Sequence, residues 1–443
     1  MYGKAGAQEP EPLPEQLKAV VRNTALGDRV GISIVDLRSR TSVLSHHAEQ
    51  PLNPASNMKL LTAAATMIEL GPQFRIDTGL YGRVAEGRAV GGLCLKGRGD
   101  PTLSRGDLMT FAQRAADEGV QKVDEVIVDG SYFDSQVLPP LFEQQPNEIA
   151  PFRAAVGALS VKNNAYTLRV RPATVEGAAA VVSVDASGYF QIDNGLTTSA
   201  SGAPSVIAED RATPEGVALS LRGTVPLGSP GLAYERRVPA PLLFAGYLFV
   251  DALRAAGIQT AKKVRIATCP PELPLIQLQS SPPLGQMLSR LGKDSDNFVA
   301  EMLLKVLGAE RTHTAGKSSD GTAAVIDILK QLDVPTAGLV MLNGSGLFQG
   351  NRVSAEQIAA LLAAMYANPS YRDDYVAQLA VGGVDGTLAR RFRKLPRARI
   401  VRAKTGTLDD VIALSGYVLG PTPDRAYAFS FLANGVSGKH AQA

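Results

Sequence analysis

PASNMKLLTAAATMIEL (54–70) carries one lysine and one glutamate in an otherwise largely apolar run. It has strong helix formers and no glycine, Pro54 just ahead of it, and Gly71-Pro72 to stop it, so it reads as a buried helix. Residues i and i+3 share a helix face, which sets the Ser56 hydroxyl beside the Lys59 amine. A lysine among so many apolar neighbours is costly unless something uses it.

Two further stretches raise the same question. In KDSDNFVAEMLLKVLG (293–308), Phe298, Val299, Met302, Leu303, Val306 and Leu307 mark the stripe of a helix ending at Gly308. Ser295-Asp296-Asn297 stands at its N-terminal edge, where helix capping is the plain reading. In IVRAKTGTLDDVIALSGYV (400–418), Lys404-Thr405-Gly406-Thr407 reads as an edge strand, and Gly406 leaves room for another backbone against it. Each stretch alone is weak. Together, a Ser-x-x-Lys opening a buried helix, a Ser-Asp-Asn and a Lys-Thr-Gly on a strand are the signature of penicillin-recognising serine acyltransferases.

Other nucleophile systems fit worse. The chain has no Gly-x-Ser-x-Gly elbow, and His46, His47, His313 and His440 leave no clear base for a Ser-His-Asp triad. A lysine base removes the need for histidine. Lysine ordinarily ionises near ~10.4, and burial beside the positive Lys404 pushes Lys59 towards the neutral form that deprotonates Ser56.

The 443 residues suffice for two or three domains, and 45% hydrophobic with 20% charged residues is an ordinary globular composition. Net charge +3, from 45 basic and 42 acidic residues, does not suggest nucleic-acid binding. RRFRKLPRARIVRAK (390–404) is the local exception, with eight Lys or Arg in fifteen positions. It reads as a solvated face or as a contact with an anionic substrate or a membrane surface. Neither the histidines nor Cys94 and Cys269 have metal-ligand spacing, and the two cysteines are open to two readings, a disulfide or two buried thiols. No apolar segment approaches the ~18 residues of a membrane span. MYGKAGAQEP lacks an apolar signal core, but Ala5-Gly6-Ala7 has the small-x-small form of a signal-peptidase site, so an exported mature protein is expected, in the periplasm or cell envelope.

Alternation in GISIVDL and SVLSH predicts two strands ahead of the Ser56 helix; 79–105 reads as a hairpin with a glycine-rich turn, 107–119 as a helix, and 123–134 as a strand and turn. From 165 to 236 short alternating strands punctuated by Gly, Ser, Pro and Thr suggest a small β-rich module. A helix is expected at 241–258, and a closing hairpin at 413–434 around the turn PTPD. Ser56 and Ser295 lie 239 positions apart, so whole domains can separate two halves of one site. The expected division is a discontinuous catalytic domain, 1–80 plus 275–443, an inserted α/β domain, 81–164 plus 237–274, and a nested β-rich subdomain, 165–236.

At this point the chain resembles the low-molecular-mass class C penicillin-binding proteins, the D-alanyl-D-alanine carboxypeptidase/endopeptidase family. LKGRGDPTLS (95–104), VDGSYFD (128–134), NGSGLFQGNRVSA (343–355), VDGTLARRF (384–392) and AKTGTL (403–408) carry the likeness, in order, from about residue 27 to 434. The resemblance implies an α/β (α+β) fold, a transpeptidase- or β-lactamase-like domain with an antiparallel sheet flanked by helices. Ser56 would form the acyl-enzyme and Lys59 would take its proton. Ser295 and Lys404 would pass a proton to the leaving D-alanine, and Asn297 would orient the peptide amide. Thr405, Gly406 and Thr407 would bind substrate, with the N–H groups of Ser56 and Thr407 as oxyanion hole. It implies peptidoglycan peptides as substrate, β-lactams as inhibitors, and no metal or organic cofactor. Asn343 stands where Asp is usual and Phe348 where Ser is common, two changes that either alter the rim of the cleft or are neutral drift. VKNN (161–164) is an unusual variant, and GVSGKHAQA stands where the family normally adds a closing helix.

Two rivals stand beside this reading. A β-lactamase would need a Glu with an Asn four residues on after Ser-Asp-Asn; Glu143 and Asn147 have the spacing but precede Ser295, and none occurs between 297 and 404. A non-catalytic peptidoglycan- or β-lactam-binding module would be expected to have lost one of these residues, and none is lost.

Overall fold

The computed structural model describes residues 13–22, 28–261, 263–395, 400–420, 422 and 425–438. The Ala5-Gly6-Ala7 segment, residues 396–399 of the basic run, the tail after Gly438 and all of the turn PTPD except Thr422 lie outside them. The chain divides into two compact units, one of residues 1–68, 289–295 and 325–443, the other of 69–288 and 296–324.

In the first unit an antiparallel sheet joins both ends of the chain. Its strands run Ala380–Val381, Val401–Leu408, Val411–Leu419, Ala426–Asn434, Val30–Asp36 and Ser42–His46. Register fixes the faces: Lys404 lies opposite Ser415, which lies opposite Ser430, which lies opposite Ser33, so these four share one side. On that side the Ser415 and Ser430 hydroxyls satisfy each other at 2.9 Å, and Tyr417 donates to the Leu362 carbonyl at 2.8 Å. Leu362 belongs to the helix Ala355–Ala367, which packs on strands Val30–Asp36, Val411–Leu419 and Ala426–Asn434. That helix starts in a capping box between Ser354 and Gln357.

The second unit holds a seven-stranded mixed sheet. Arg88–Gly97 lies at its middle, between Asp77–Ala85 on one side and Lys122–Val123 with Val126–Asp129 on the other. The helix Pro241–Ala255 starts with proline, whose missing N–H has no partner to lose there, and packs on Val126–Asp129 and on helix Arg105–Asp117. Leu93, Leu95, Phe111, Val128, Phe244 and Phe249 are core residues of this unit. The β-rich stretch forms two three-stranded sheets, Phe190–Ser199, Ser205–Thr213 and Gly216–Pro226 in one and Ala165–Arg171, Val181–Ser183 and Leu232–Arg237 in the other. Cys94 and Cys269 form a disulfide, closing the question the sequence left open.

One helix boundary differs from expectation. The helix after Ser-Asp-Asn runs Asn297–Thr312 and passes through Gly308. A Cβ on Gly308 would meet the Lys317 carbonyl oxygen at 2.8 Å and the Gly321 nitrogen at 2.9 Å, so this glycine serves close backbone packing. The left-handed cap is His313, at φ 55°.

Candidate active site

Ser56 sits in a single 3-10 turn, Ala55–Asn57, directly before the helix Met58–Leu70. Ala55 ahead of it has φ +47°, a left-handed conformation that costs a non-glycine residue ~1–3 kcal/mol and clusters at functional sites. Asn53 sustains the bend. Its Oδ1 accepts from the Ala55 N–H at 2.9 Å, and its Nδ2 donates to the Phe348 carbonyl at 3.2 Å. Across the elbow, Asn53 and Asn434 exchange two hydrogen bonds of 2.9 and 3.0 Å.

One turn on, Lys59 is fully buried, and its Nζ lies 3.0 Å from Ser56 Oγ. The same Nζ donates to the Ser345 carbonyl at 2.8 Å. The helix supplies the i to i+3 proximity, and the burial of Lys59 keeps water from the amine.

Lys404, on strand Val401–Leu408, is equally buried; its Nζ donates to Ser295 Oγ at 2.8 Å and to the Thr405 carbonyl at 2.7 Å. Burial pushes the ionisation of Lys404 well below its ordinary value, and the charge of Lys59 pushes it further the same way. Ser295 is itself held at φ +60°, the second strained non-glycine residue of the site. The site therefore contains two hydroxyl–lysine pairs whose lysines repel one another.

Ala380–Val381 pairs only with Arg402 and Ala403, so Lys404 to Leu408 has one neighbour, Val411–Leu419. Gly406 leaves space for the Pro54 carbonyl, which a Cβ would meet at 2.8 Å. Asn57 Nδ2 donates to the Lys404 carbonyl at 3.3 Å, tying nucleophile turn to strand. Thr405 Oγ1 hydrogen-bonds Thr387 Oγ1 at 2.9 Å, and Thr407 is exposed.

The structure thus brings Ser56, Lys59, Ser295, Lys404, Thr405, Gly406 and Thr407 into one unit. Asn297 belongs to the other, where its side-chain amide donates to the Phe152 carbonyl at 3.0 Å. The capping and site readings of Ser-Asp-Asn divide between residues. Asp296 is the helix cap, accepting from the Val299 N–H at 3.2 Å, while Ser295 bonds Lys404.

Asn343 and Phe348 are both buried, 0% and 6% exposed. Asn343 Oδ1 accepts from the Gly346 N–H at 2.9 Å and from Asn351 Nδ2 at 3.1 Å, which turns its side chain inward. The Ser345 carbonyl was missed altogether because a main-chain acceptor leaves no mark in residue type; the glycines flanking Ser345 were the available signal.

Residues 13–443 match the D-Ala-D-Ala carboxypeptidase 3 (S13) family. The D-alanyl-D-alanine carboxypeptidase of Actinomadura sp. (strain R39) is 36% identical over 446 residues, covering 96% of this chain and 81% of that protein. The crystal structure of penicillin binding protein 4 from Haemophilus influenzae shares the fold, with a TM-score of 0.81 at 23% identity over 95% of this chain and 93% of that one. The chain belongs to the D-Ala-D-Ala carboxypeptidase 3 (S13) family and is a serine peptidase.

Proposed function

We propose that this chain hydrolyses the bond between the two terminal D-alanines of peptidoglycan stem peptides, or a cross-link of the same chemistry, through an acyl-enzyme on Ser56, and that β-lactams acylate the same hydroxyl. The observation that carries this reading is the pair of contacts Lys59–Ser56, 3.0 Å, and Lys404–Ser295, 2.8 Å, on two fully buried lysines.

Lys59 takes the Ser56 proton as Oγ attacks the scissile carbonyl carbon. The N–H groups of Ser56 and Thr407 hold the developing oxyanion, an interaction typically worth ~3–4 kcal/mol. Collapse breaks the C–N bond, and the leaving amine takes a proton from Ser295, which Lys404 replaces. Thr405 with Lys404 receives the terminal carboxylate, Gly406 admits the substrate backbone to the strand edge, and Asn297 orients the peptide amide. The proton held by Lys59 then refills the Lys404–Ser295 pair; water attacks the Ser56 ester, Lys59 taking its proton and returning it to Ser56 Oγ as the ester bond breaks, and the shortened peptide leaves.

The domain reading is part of the proposal: a catalytic domain of 1–80 plus 275–443 is supported by the sheet that pairs Val30–Asp36 with Ala426–Asn434. Export to the periplasm or cell envelope is supported by the Cys94–Cys269 disulfide, a bond that persists in oxidising compartments. Among the described residues no helix is long and apolar enough to cross a membrane.

The test is incubation with labelled penicillin, with Ser56→Ala alongside. A long-lived adduct on Ser56 that the variant lacks, with D-alanine released from a stem peptide, is the expected result. A short-lived adduct with turnover of the drug would make the protein a β-lactamase, and an adduct without D-alanine release a binding module.

A further inference from the structure

Nucleophile and base are usually joined by a third group that orients the base. In this protein one such group is a main-chain carbonyl. Lys59 Nζ donates to the main-chain carbonyl of Ser345 at 2.8 Å, while the same nitrogen lies 3.0 Å from Ser56 Oγ. A neutral amine has two hydrogens and one lone pair. Committing a hydrogen to the Ser345 carbonyl restricts rotation about the last bond of the side chain and keeps the lone pair available to the serine hydroxyl.

What holds that carbonyl is the side chain of Asn343. We propose that Asn343 is a positioning residue for the Ser56–Lys59 pair, knotting the Asn343–Leu347 loop so that Ser345 presents its carbonyl to the base. The inference rests on the reading of Lys59 as the base.

The knot is buried, with Asn343, Ser345 and Asn351 all 0% exposed. Asn343 Oδ1 accepts from Gly346 N–H at 2.9 Å and from Asn351 Nδ2 at 3.1 Å, while its Nδ2 donates to the Leu347 carbonyl at 3.1 Å. Asn351 Oδ1 in turn accepts from Leu342 N–H at 2.9 Å. From the helix side, Thr62 Oγ1 donates to the Gly344 carbonyl at 2.8 Å, so the loop is pinned one residue either side of the bond that matters. Gly346 completes the fit: at φ +76°, a Cβ there would lie 1.8 Å from the Ala55 carbonyl oxygen, inside the nucleophile turn itself.

A carboxylate at position 343 would keep the two acceptor contacts and lose the donor to Leu347. It would also add a negative charge beside the base. Lys404 is a titratable group that faces Lys59 from the neighbouring strand, and in its protonated form it acts in the opposite sense.

The experiment measures the rate constant for acylation of Ser56 by labelled penicillin across pH, per folded molecule, in the full chain. Asn343→Ala should lower it by about tenfold or more. Asn343→Asp should retain most of the maximal rate, with the midpoint of the pH profile moved upward, since a nearby carboxylate favours the protonated lysine. A residue that merely stabilises the fold would move neither the rate per folded molecule nor the midpoint. Thr62→Val, which removes one pin at almost constant volume, should slow acylation by about threefold, and decides the matter if the Asn343 variants do not fold. Wild-type rates and an unmoved midpoint in the folded variants would overturn the proposal while leaving Ser56 as nucleophile. No adduct on wild-type Ser56 would overturn both.

Discussion

Among the described residues three lysines are 1% exposed or less, Lys59, Lys305 and Lys404, and the regions that hold them differ in chemistry. In the second unit Lys305 Nζ meets Asp134 Oδ1 at 2.5 Å and the Gln136 carbonyl at 2.6 Å, with the Phe133 ring 5.5 Å away. A carboxylate balances the charge, and a carbonyl and a π face share in its solvation. In the first unit Lys59 and Lys404 face serine hydroxyls, carbonyls and each other. Lys305 has a carboxylate partner, whereas the Lys404 surroundings make an ammonium expensive. Burial of a lysine therefore says little about its purpose; the group it faces says most of it.

Removing the charge at each place should separate the two regions. Lys59→Met should lower the rate of Ser56 acylation by about 10²–10⁴-fold, the usual contribution of a general base. Acylation within tenfold of wild type would remove Lys59 from the chemistry. Lys305→Met leaves Asp134, whose side chain is 21% exposed, beside an apolar group. Breaking a buried pair typically costs ~3–5 kcal/mol, and partial exposure of Asp134 brings the expected loss to ~2–3 kcal/mol in a denaturant titration. Adding Asp134→Asn should recover part of that loss. A Lys305→Met protein as stable as wild type would mean that the ion pair is dispensable.

This contrast also explains what the sequence made legible. Ser56 and Lys59 could be read together because helix geometry converts a spacing of three into contact. Lys404 and Gly406 could be read because a side-chain charge and a missing side chain both leave a mark in residue type. Lys305 sits on the apolar stripe of MLLKVLG with nothing local to distinguish it from Lys59, since its partner Asp134 is 171 positions away. The Cys94–Cys269 pair, 175 positions apart, was undecidable for the same reason. Gly308 was misread because a glycine that ends a helix and one that admits a neighbouring backbone look alike until the neighbour is known. The inward turn of Asn343 could not be read because two of its partners, the Gly346 N–H and the Leu347 carbonyl, are main-chain groups, which no residue pattern records.

The smallest effect concerns Lys404 and bears on stability rather than rate. In the unfolded chain this lysine keeps its proton up to its ordinary value of 10.5, whereas in the fold burial and the nearby Lys59 release that proton at much lower pH. Between those two values the unfolded state binds one more proton at this position than the native state, so the contribution of Lys404 to unfolding free energy rises with pH. Below the depressed native value both states hold the proton and the burial penalty acts in full. Replacing Lys404 by methionine abolishes the difference in proton binding. Denaturant titrations at several pH values approaching 10.5 should therefore show a less positive slope of unfolding free energy against pH in Lys404→Met than in wild type, by at most one proton. Equal slopes would mean that Lys404 is solvated as an ammonium in the folded protein, and the contrast with Lys305 would lose one of its two members.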